Sequence, residues 1–113
     1  MDEKFYREFI DGLVEISEST EARRIEIDFR HPVPSRERKE IEEFVASLSE
    51  KHRTILAKML RDEKTSGIHD ALAFFERQEY TISASSDRFF TGSPYAELHF
   101  DYAARLAGDP WPS

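Results

Sequence analysis

The sequence predicts an α+β fold in which about four helices pack on a small, mainly antiparallel sheet with a C-terminal β-hairpin. Apolar residues recur at helical spacing in four segments. The hydrophobic period drops to two around residues 24–30, 80–85 and 95–102. The chain has 113 residues, of which 39% are hydrophobic and 35% charged. This is enough for one core and a soluble surface, so we expect a single domain over residues 1–113.

The N-terminal third is expected to form a helix and then a short strand. Asp2 suits the N-cap of a first helix over residues 3–18, in which apolar residues recur every three or four positions. The following stretch RIEIDFR, residues 24–30, alternates polar and apolar side chains. Pro32 and Pro34 exclude a helix directly after it. We therefore predict a strand in this stretch.

The middle of the chain carries three further helix signals. Ser35 suits the cap of a second helix, and Ser49 that of a third, so the two helices must turn sharply and pack closely. Gly67 can end the third helix or open a fourth that runs to about Gln78. The inward-facing residues at helical spacing are, for the three helices in turn, Ile41, Phe44, Val45 and Leu48; His52, Ile55, Leu56, Met59 and Leu60; and Ile68, Ala71, Leu72 and Phe75.

The C-terminal third is expected to form the β-hairpin. A strand from Tyr80 to Ser85 precedes the turn-rich stretch SDRFFTGSP, and a second strand is predicted in YAELHFDY, from Tyr95 to Tyr102. A last turn of helix should end at Gly108, before the two prolines that flank the single tryptophan.

Composition limits the classes of function. The 23 acidic and 16 basic side chains give a net charge of -7, which disfavours nucleic acid as a partner and favours a basic protein. The absence of cysteine excludes disulfides and thiolate catalysis and fits a reducing compartment. We see no signal peptide and no apolar run of about 18 residues, so we expect a cytoplasmic protein without membrane contact. No common catalytic or phosphate-binding motif is present, and we expect no cofactor.

Histidines supply the candidate catalytic residues. His69 and Asp70 diverge around a helix at 100° per residue, which favours a capping carboxylate beside a boundary histidine over a catalytic dyad. In the predicted last strand, the side chains of Glu97, His99 and Asp101 lie on the same face, and successive members of this set are about 7 Å apart. His99 and Asp101, with His69 from the fourth helix, would form the site of a small metal-dependent hydrolase. Because zinc needs a third protein ligand, an ordinary polar sheet face without metal is favoured.

The order of His31, the His69-Asp70 pair and Asp101 resembles the H…HD…D pattern of the HD-type metal phosphohydrolases. The resemblance implies a longer, all-helical fold that gathers four metal ligands. This chain departs from that pattern, because its last aspartate falls in a predicted strand. The ligand geometry of that family is therefore not expected here.

Two segments resemble a family of small uncharacterised bacterial proteins: GIHDALAFF, residues 67–75, and DYAARLAGDPWP, residues 101–112. Together they cover about a fifth of the chain. The resemblance implies a bacterial cytosolic protein without an assigned activity. It leaves open whether Trp111, with Arg105 and Asp109, fixes the tail to the body or faces a partner.

Two classes of function remain. Trp111 and Arg105 are the candidate binding residues, since tryptophan and arginine dominate interface energies, although a tryptophan more often pins a tail to its own core. The acidic surface and the missing catalytic motifs favour a protein-binding module, immunity- or inhibitor-like, that masks a basic partner and is not an enzyme. The alternative, a small metal-dependent hydrolase, requires that His69, His99 and Asp101 converge. The oligomeric state stays open.

Overall fold

The computed structural model describes residues 2–27 and 35–113, which form five helices and a two-stranded antiparallel sheet. The fold is therefore α+β. No helix in the described part of the chain has both the length and the apolarity needed to cross a membrane. The bounds of the elements are Glu3–Glu15 for α1, Thr20–Ile27 for α2, Arg36–Ala46 for α3, Glu50–Gln78 for α4, Thr81–Ser85 for β1, Arg88–Thr91 for β2 and Leu98–Leu106 for α5.

The chain divides into two compact units, and α4 contributes residues to both. Met1–Ser17 and Thr65–Ser113 form the first unit, whose sequence holds 12 acidic and 5 basic side chains; we call it the acidic unit. Glu18–Lys64 forms the second unit, with 11 acidic and 11 basic side chains; we call it the neutral unit. The single domain expected over residues 1–113 stays a prediction.

The local capping signals are confirmed. Side-chain oxygens of Asp2, Ser35 and Ser49 each accept a hydrogen bond from the backbone N–H three residues further on, at 2.9–3.1 Å. These bonds satisfy amides that a helix leaves without partners at its start. Gly108 has a φ of 92° just after α5, as the predicted helix end requires. The first helix ends at Glu15, three residues earlier than predicted.

The strand predicted over residues 24–30 is wrong as far as the structure describes it, because α2 extends to Ile27. Ser19 caps this helix by accepting the N–H of Ala22 at 3.1 Å. Ala22 and Ile25 are buried three positions apart, which suits a helix. In a stretch as short as residues 24–27, alternating polar and apolar residues fit both the period of a strand and that of a helix. Residues 28–34 lie outside the described residues.

The predicted third and fourth helices are one continuous helix, α4. A single interior glycine costs a helix about 1 kcal/mol relative to alanine, which the residues around Gly67 outweigh. The helix ends at Gln78, as predicted for the fourth helix, and is followed by Glu79 with a φ of 56°. The N–H of Tyr80 donates to the carbonyl of Phe75 at 3.2 Å, which closes the last turn.

The hairpin lies earlier in the chain than predicted. Its first strand is confirmed as β1, but β2 falls within the stretch that we expected to be a loop. Ile82 pairs with Phe90, which is fully buried, and the register shifts between Ser83 and Ser85. The loop prediction relied on the Ser, Gly and Pro residues of SDRFFTGSP and missed the β-prone run RFFT between them.

The second predicted strand, from Tyr95 to Tyr102, is wrong, because most of it belongs to α5. Leu98 and Tyr102 fit both a period of two and a helical spacing. Asp101 decides between the two periods: it is buried with them, whereas Phe100 is 56% exposed. The hairpin is therefore not C-terminal, and a helix and the tail follow it.

Each unit has its own core. In the acidic unit, the ring of Tyr6 meets that of Phe90 edge to face, with 4.9 Å between their centroids. The fully buried residues of this core are Tyr6, Ile10, Leu72, Phe90, Leu98 and Tyr102. Outside residues 28–34, the buried residues of the neutral unit's core are Ala22, Ile25, Val45 and Ala57.

Candidate functional site

The structure brings two of the three catalytic candidates together. His69 on α4 and His99 on α5 meet edge to face, with ring centroids 5.0 Å apart. Nε2 of His99 lies 3.1 Å from Oε2 of Glu97, and its Nδ1 is buried without a hydrogen-bond partner among the described residues. His69 also lines an open pocket of about 340 Å³ between α4 and α5. The convergence that a hydrolase requires is thus met for the two imidazoles.

Asp70 does not form a dyad with His69. Its Oδ1 lies 3.7 Å from Nδ1 of His69, beyond hydrogen-bond length, and its side chain is 83% exposed. It does not cap a helix start either, because α4 is continuous through this position. The interpretation of Asp70 as a helix-start carboxylate is therefore wrong.

Asp101 points away from the two histidines. On a helix, residues two apart diverge by about 200°, so His99 and Asp101 cannot share the face that a strand would give them. The buried carboxylate of Asp101 instead accepts hydrogen bonds from the hydroxyls of Tyr6 and Ser93. Burial, together with the bond to Asp101, raises the pKa of Tyr6 far above its usual value. Asp101 therefore ties α1 and the loop before α5 to α5.

No metal centre is assembled in the part of the chain that the structure describes: three or more His, Asp or Glu side chains are nowhere grouped so as to hold an ion. Asp101, the last residue of the HD-type pattern, lies in a helix, contrary to the prediction. Its carboxylate accepts hydrogen bonds from Tyr6 and Ser93. His31 lies outside the described residues.

The two candidate binding residues hold the C-terminal tail against α1. Oδ2 of Asp11 accepts Nε1–H of Trp111 at 2.9 Å, and its Oδ1 accepts Nε–H of Arg105 at 2.8 Å. The guanidinium of Arg105 also lies 5.1 Å from the centre of the Trp111 ring. Burial opposes ionisation of Asp11, but the bonds from Arg105 and Trp111 outweigh it and hold the pKa of Asp11 below its usual value. A role of Trp111 and Arg105 in binding stays a prediction.

Sequence reasoning missed the α1 residues that receive the tail. Besides Asp11, Arg7 donates to the hydroxyl of Tyr95 at 2.7 Å and to the carbonyl of Pro112 at 3.0 Å. Its guanidinium lies 5.6 Å from the centre of the Trp111 ring. One sequence signal could have found them. Arg7 and Asp11 have opposite charges and lie four positions apart, beside the apolar stripe of the first helix.

An open acidic groove of about 710 Å³ runs along α1 beside the tail. Four carboxylates and two cationic side chains contribute to it, and two of those carboxylates, Asp11 and Glu8, pair with Arg105 and Arg88. Its lining residues are Glu3, Lys4, Arg7, Glu8, Asp11, Gly12, Glu15 and Trp111. Among the described residues, Glu3 and Glu15 are the lining carboxylates that no ion pair engages, and they lie in the same groove as the only tryptophan of the chain.

One comparison with known proteins gives a result. The model of a family described as a family of unknown function (DUF6547) matches residues 1–113. No curated protein and no solved structure matches the chain. The expectation of a family without an assigned activity is thereby confirmed, while the bacterial origin stays a prediction.

Proposed function

The chain belongs to this family of unknown function, DUF6547, and we propose that it is a protein-binding module, immunity- or inhibitor-like, that recognises a basic partner through its acidic unit. One observation carries the proposal: all seven excess negative charges of the chain fall in the acidic unit, while the neutral unit is balanced. Charge concentrated in this way attracts an oppositely charged protein and raises its rate of association.

The acidic groove supplies a place for such a partner. Glu8 and Glu15 stand exposed on its rim, about two helical turns apart, and Arg88 contacts Glu8 at 3.4 Å. Trp111 lies in the same groove, and a half-buried indole held by Asp11 offers a rigid aromatic contact. Cationic side chains of a partner would meet carboxylates at the rim and an aromatic ring at one end.

The hydrolase alternative is less well supported. It retains the contact between His69 and His99, but two imidazoles without a third protein ligand do not suit catalytic zinc. Asp101, the third residue that it needs, is engaged with Tyr6 and Ser93. We therefore propose that the protein does not act as an enzyme.

The test is a selection of random dodecapeptides on the immobilised full chain, followed by affinity measurements on the enriched peptides. We expect these peptides to carry net positive charge and to bind less tightly as salt concentration rises. The double variant Glu8→Gln/Glu15→Gln should weaken binding by about threefold to tenfold. The matched control, Glu40→Gln/Glu43→Gln, removes two exposed carboxylates from α3 in the neutral unit and should change affinity by less than about twofold. No enrichment, enrichment without positive charge, or equal effects of the two double variants would contradict the proposal.

A further inference from the structure

One edge of β1 has no strand partner among the described residues. The described part of the chain holds one sheet of two strands, so β1 pairs with β2 on one side only. The N–H of Asp2 donates to the carbonyl of Phe89 at 3.1 Å, which gives β2 a partner beyond the hairpin. No backbone hydrogen bond joins β1 to any described residue outside the hairpin. An edge of this kind is a template for pairing with another chain.

The composition of β1 does not protect this edge, although the register shift between Ser83 and Ser85 interrupts its pairing. From Tyr80 to Ser86 the sequence YTISASS contains no charged residue and no proline. Such residues normally prevent an edge strand from pairing with another chain. Carboxylates stand at both ends, Glu79 before the strand and Asp87 in the turn after it. The hydroxyl of Ser85 donates to Asp87 and holds the pKa of that carboxyl below its usual value, so Asp87 is charged.

The side chains of the neighbouring arginines are directed to other groups, although the charge of Arg88 also helps to lower the pKa of Asp87. The guanidinium of Arg77 lies 5.6 Å from the centre of the Phe74 ring. That of Arg88 lies 5.1 Å from the centre of the Phe5 ring and within 3.4 Å of the Glu8 carboxylate. The edge of β1 is thus an uncharged strand between two negative ends.

An aromatic pair adjoins this edge. At its start, the exposed rings of Tyr80 and Phe74 lie 5.8 Å apart, which offers apolar contact to a chain laid along β1. The acidic groove is a separate surface, because α1 meets the hairpin through β2, where Arg88 reaches Glu8.

We propose that β1 accepts an extended segment of the basic partner as a third strand, with lysine or arginine at the ends of that segment facing Glu79 and Asp87. This inference rests on the proposed function and specifies how the partner is held. Backbone hydrogen bonds to β1 supply the directional contacts, and the carboxylates select a basic sequence. A second copy of the chain fits this edge less well, because it would bring two acidic units together.

The deciding experiment uses the tightest dodecapeptide from the selection described above, made in two N-methylated forms. One form carries methyl groups on the odd-numbered backbone amides of its central five residues, the other on the even-numbered ones. In a strand, alternate N–H groups face the neighbouring strand. We therefore expect one form to lose at least about tenfold in affinity and the other to stay within about threefold of the parent peptide. Equal affinities of the two forms would overturn strand addition.

Hydrogen exchange and charge variants provide independent readouts. Amides of β1 should gain protection when the peptide binds, while those of α3 should not. Glu79→Gln/Asp87→Asn should weaken binding several-fold, and Glu40→Gln/Glu43→Gln serves again as the control. Unchanged exchange in β1 would overturn the proposal, as would a concentration-dependent dimer in which β1 is already protected without peptide.

The outcomes separate the two proposals. Binding of basic peptides that depends on Glu8 and Glu15 but ignores N-methylation would leave the proposed function standing and remove strand addition. Failure to enrich any basic peptide would remove both.

Discussion

In the acidic unit, six side chains from tyrosine to leucine in size are fully buried, whereas two of the four core residues that the structure describes in the neutral unit are alanines. Both units leave large apolar side chains in solvent, such as Phe100 at 56% exposure in the acidic unit and Met59 at 61% in the neutral unit, so the contrast lies in the cores alone. Buried apolar area is the main favourable term in folding. The comparison indicates that the acidic unit is the better stabilised of the two, although it carries all the excess charge.

The largest expected effect is therefore loss of core volume in the acidic unit. Phe90→Ala should lower the free energy of unfolding by about 3–5 kcal/mol, and Val45→Ala in the neutral unit by about 2 kcal/mol. Urea unfolding followed by circular dichroism measures both. If Phe90→Ala does not fold, the milder Phe90→Leu keeps the comparison measurable. Equal losses at the two sites would show that the difference in packing does not govern stability.

The second comparison sets a buried polar network against an exposed one. In the acidic unit, Asp101→Ala leaves the hydroxyls of Tyr6 and Ser93 without their acceptor and should cost about 2–4 kcal/mol. In the neutral unit, Arg61 bridges Glu18 and Glu26 at the surface, and Glu18→Gln should cause no measurable loss. Thermal unfolding of the two variants gives the test. A large loss in Glu18→Gln would contradict the expected weakness of exposed ion pairs.

The same contrast explains how much of the fold the sequence could predict. Asp2, Ser35, Ser49 and Gly108 act on their own neighbours, so their capping roles were predictable from local chemistry. The elements α2, β2 and α5 are short, and in segments of four to nine residues a period of two and a helical period can both fit. Partners distant in sequence, such as Tyr6 for Asp101, decide which period forms.

The candidate site was harder to predict for the same reason. The strand expected around His99 placed Asp101 beside it, and the helix α5 separates them. The approach of His69 to His99 depends on how α4 and α5 pack, which no local signal encodes. Trp111 and Arg105 were identified from their residue types, but their common partner Asp11 lies about 100 positions away in sequence.

Acid should release the tail of the acidic unit. The pKa of Asp11 is lower in the folded chain than in the unfolded chain. The stabilisation that the ionised carboxylate provides is therefore complete above the usual aspartate pKa of about 3.9, and it is lost as pH falls through the lower pKa of the folded chain. Trp111 is the only tryptophan and donates to Asp11, so its fluorescence should change in this acid range. Asp11→Asn should remove the transition or shift it, whereas Glu18→Gln should leave it in place. A transition unchanged by Asp11→Asn would assign the acid response to another carboxyl.

The smallest expected effect is a gain at the end of α4 in the acidic unit. Glu79 has a φ of 56°, a left-handed conformation that glycine adopts without strain, and it closes the helix in the place where glycine is usual. Glu79→Gly should therefore raise the free energy of unfolding by about 1 kcal/mol, measured in urea by Trp111 fluorescence. Glu79→Ala removes the same negative charge from the helix C-terminus but keeps a Cβ, so it isolates the conformational term. An equal gain in Glu79→Ala would attribute the effect to charge. A gain confined to glycine would show that the better-packed unit still contains backbone strain, at the position where the proposed strand partner meets its first carboxylate.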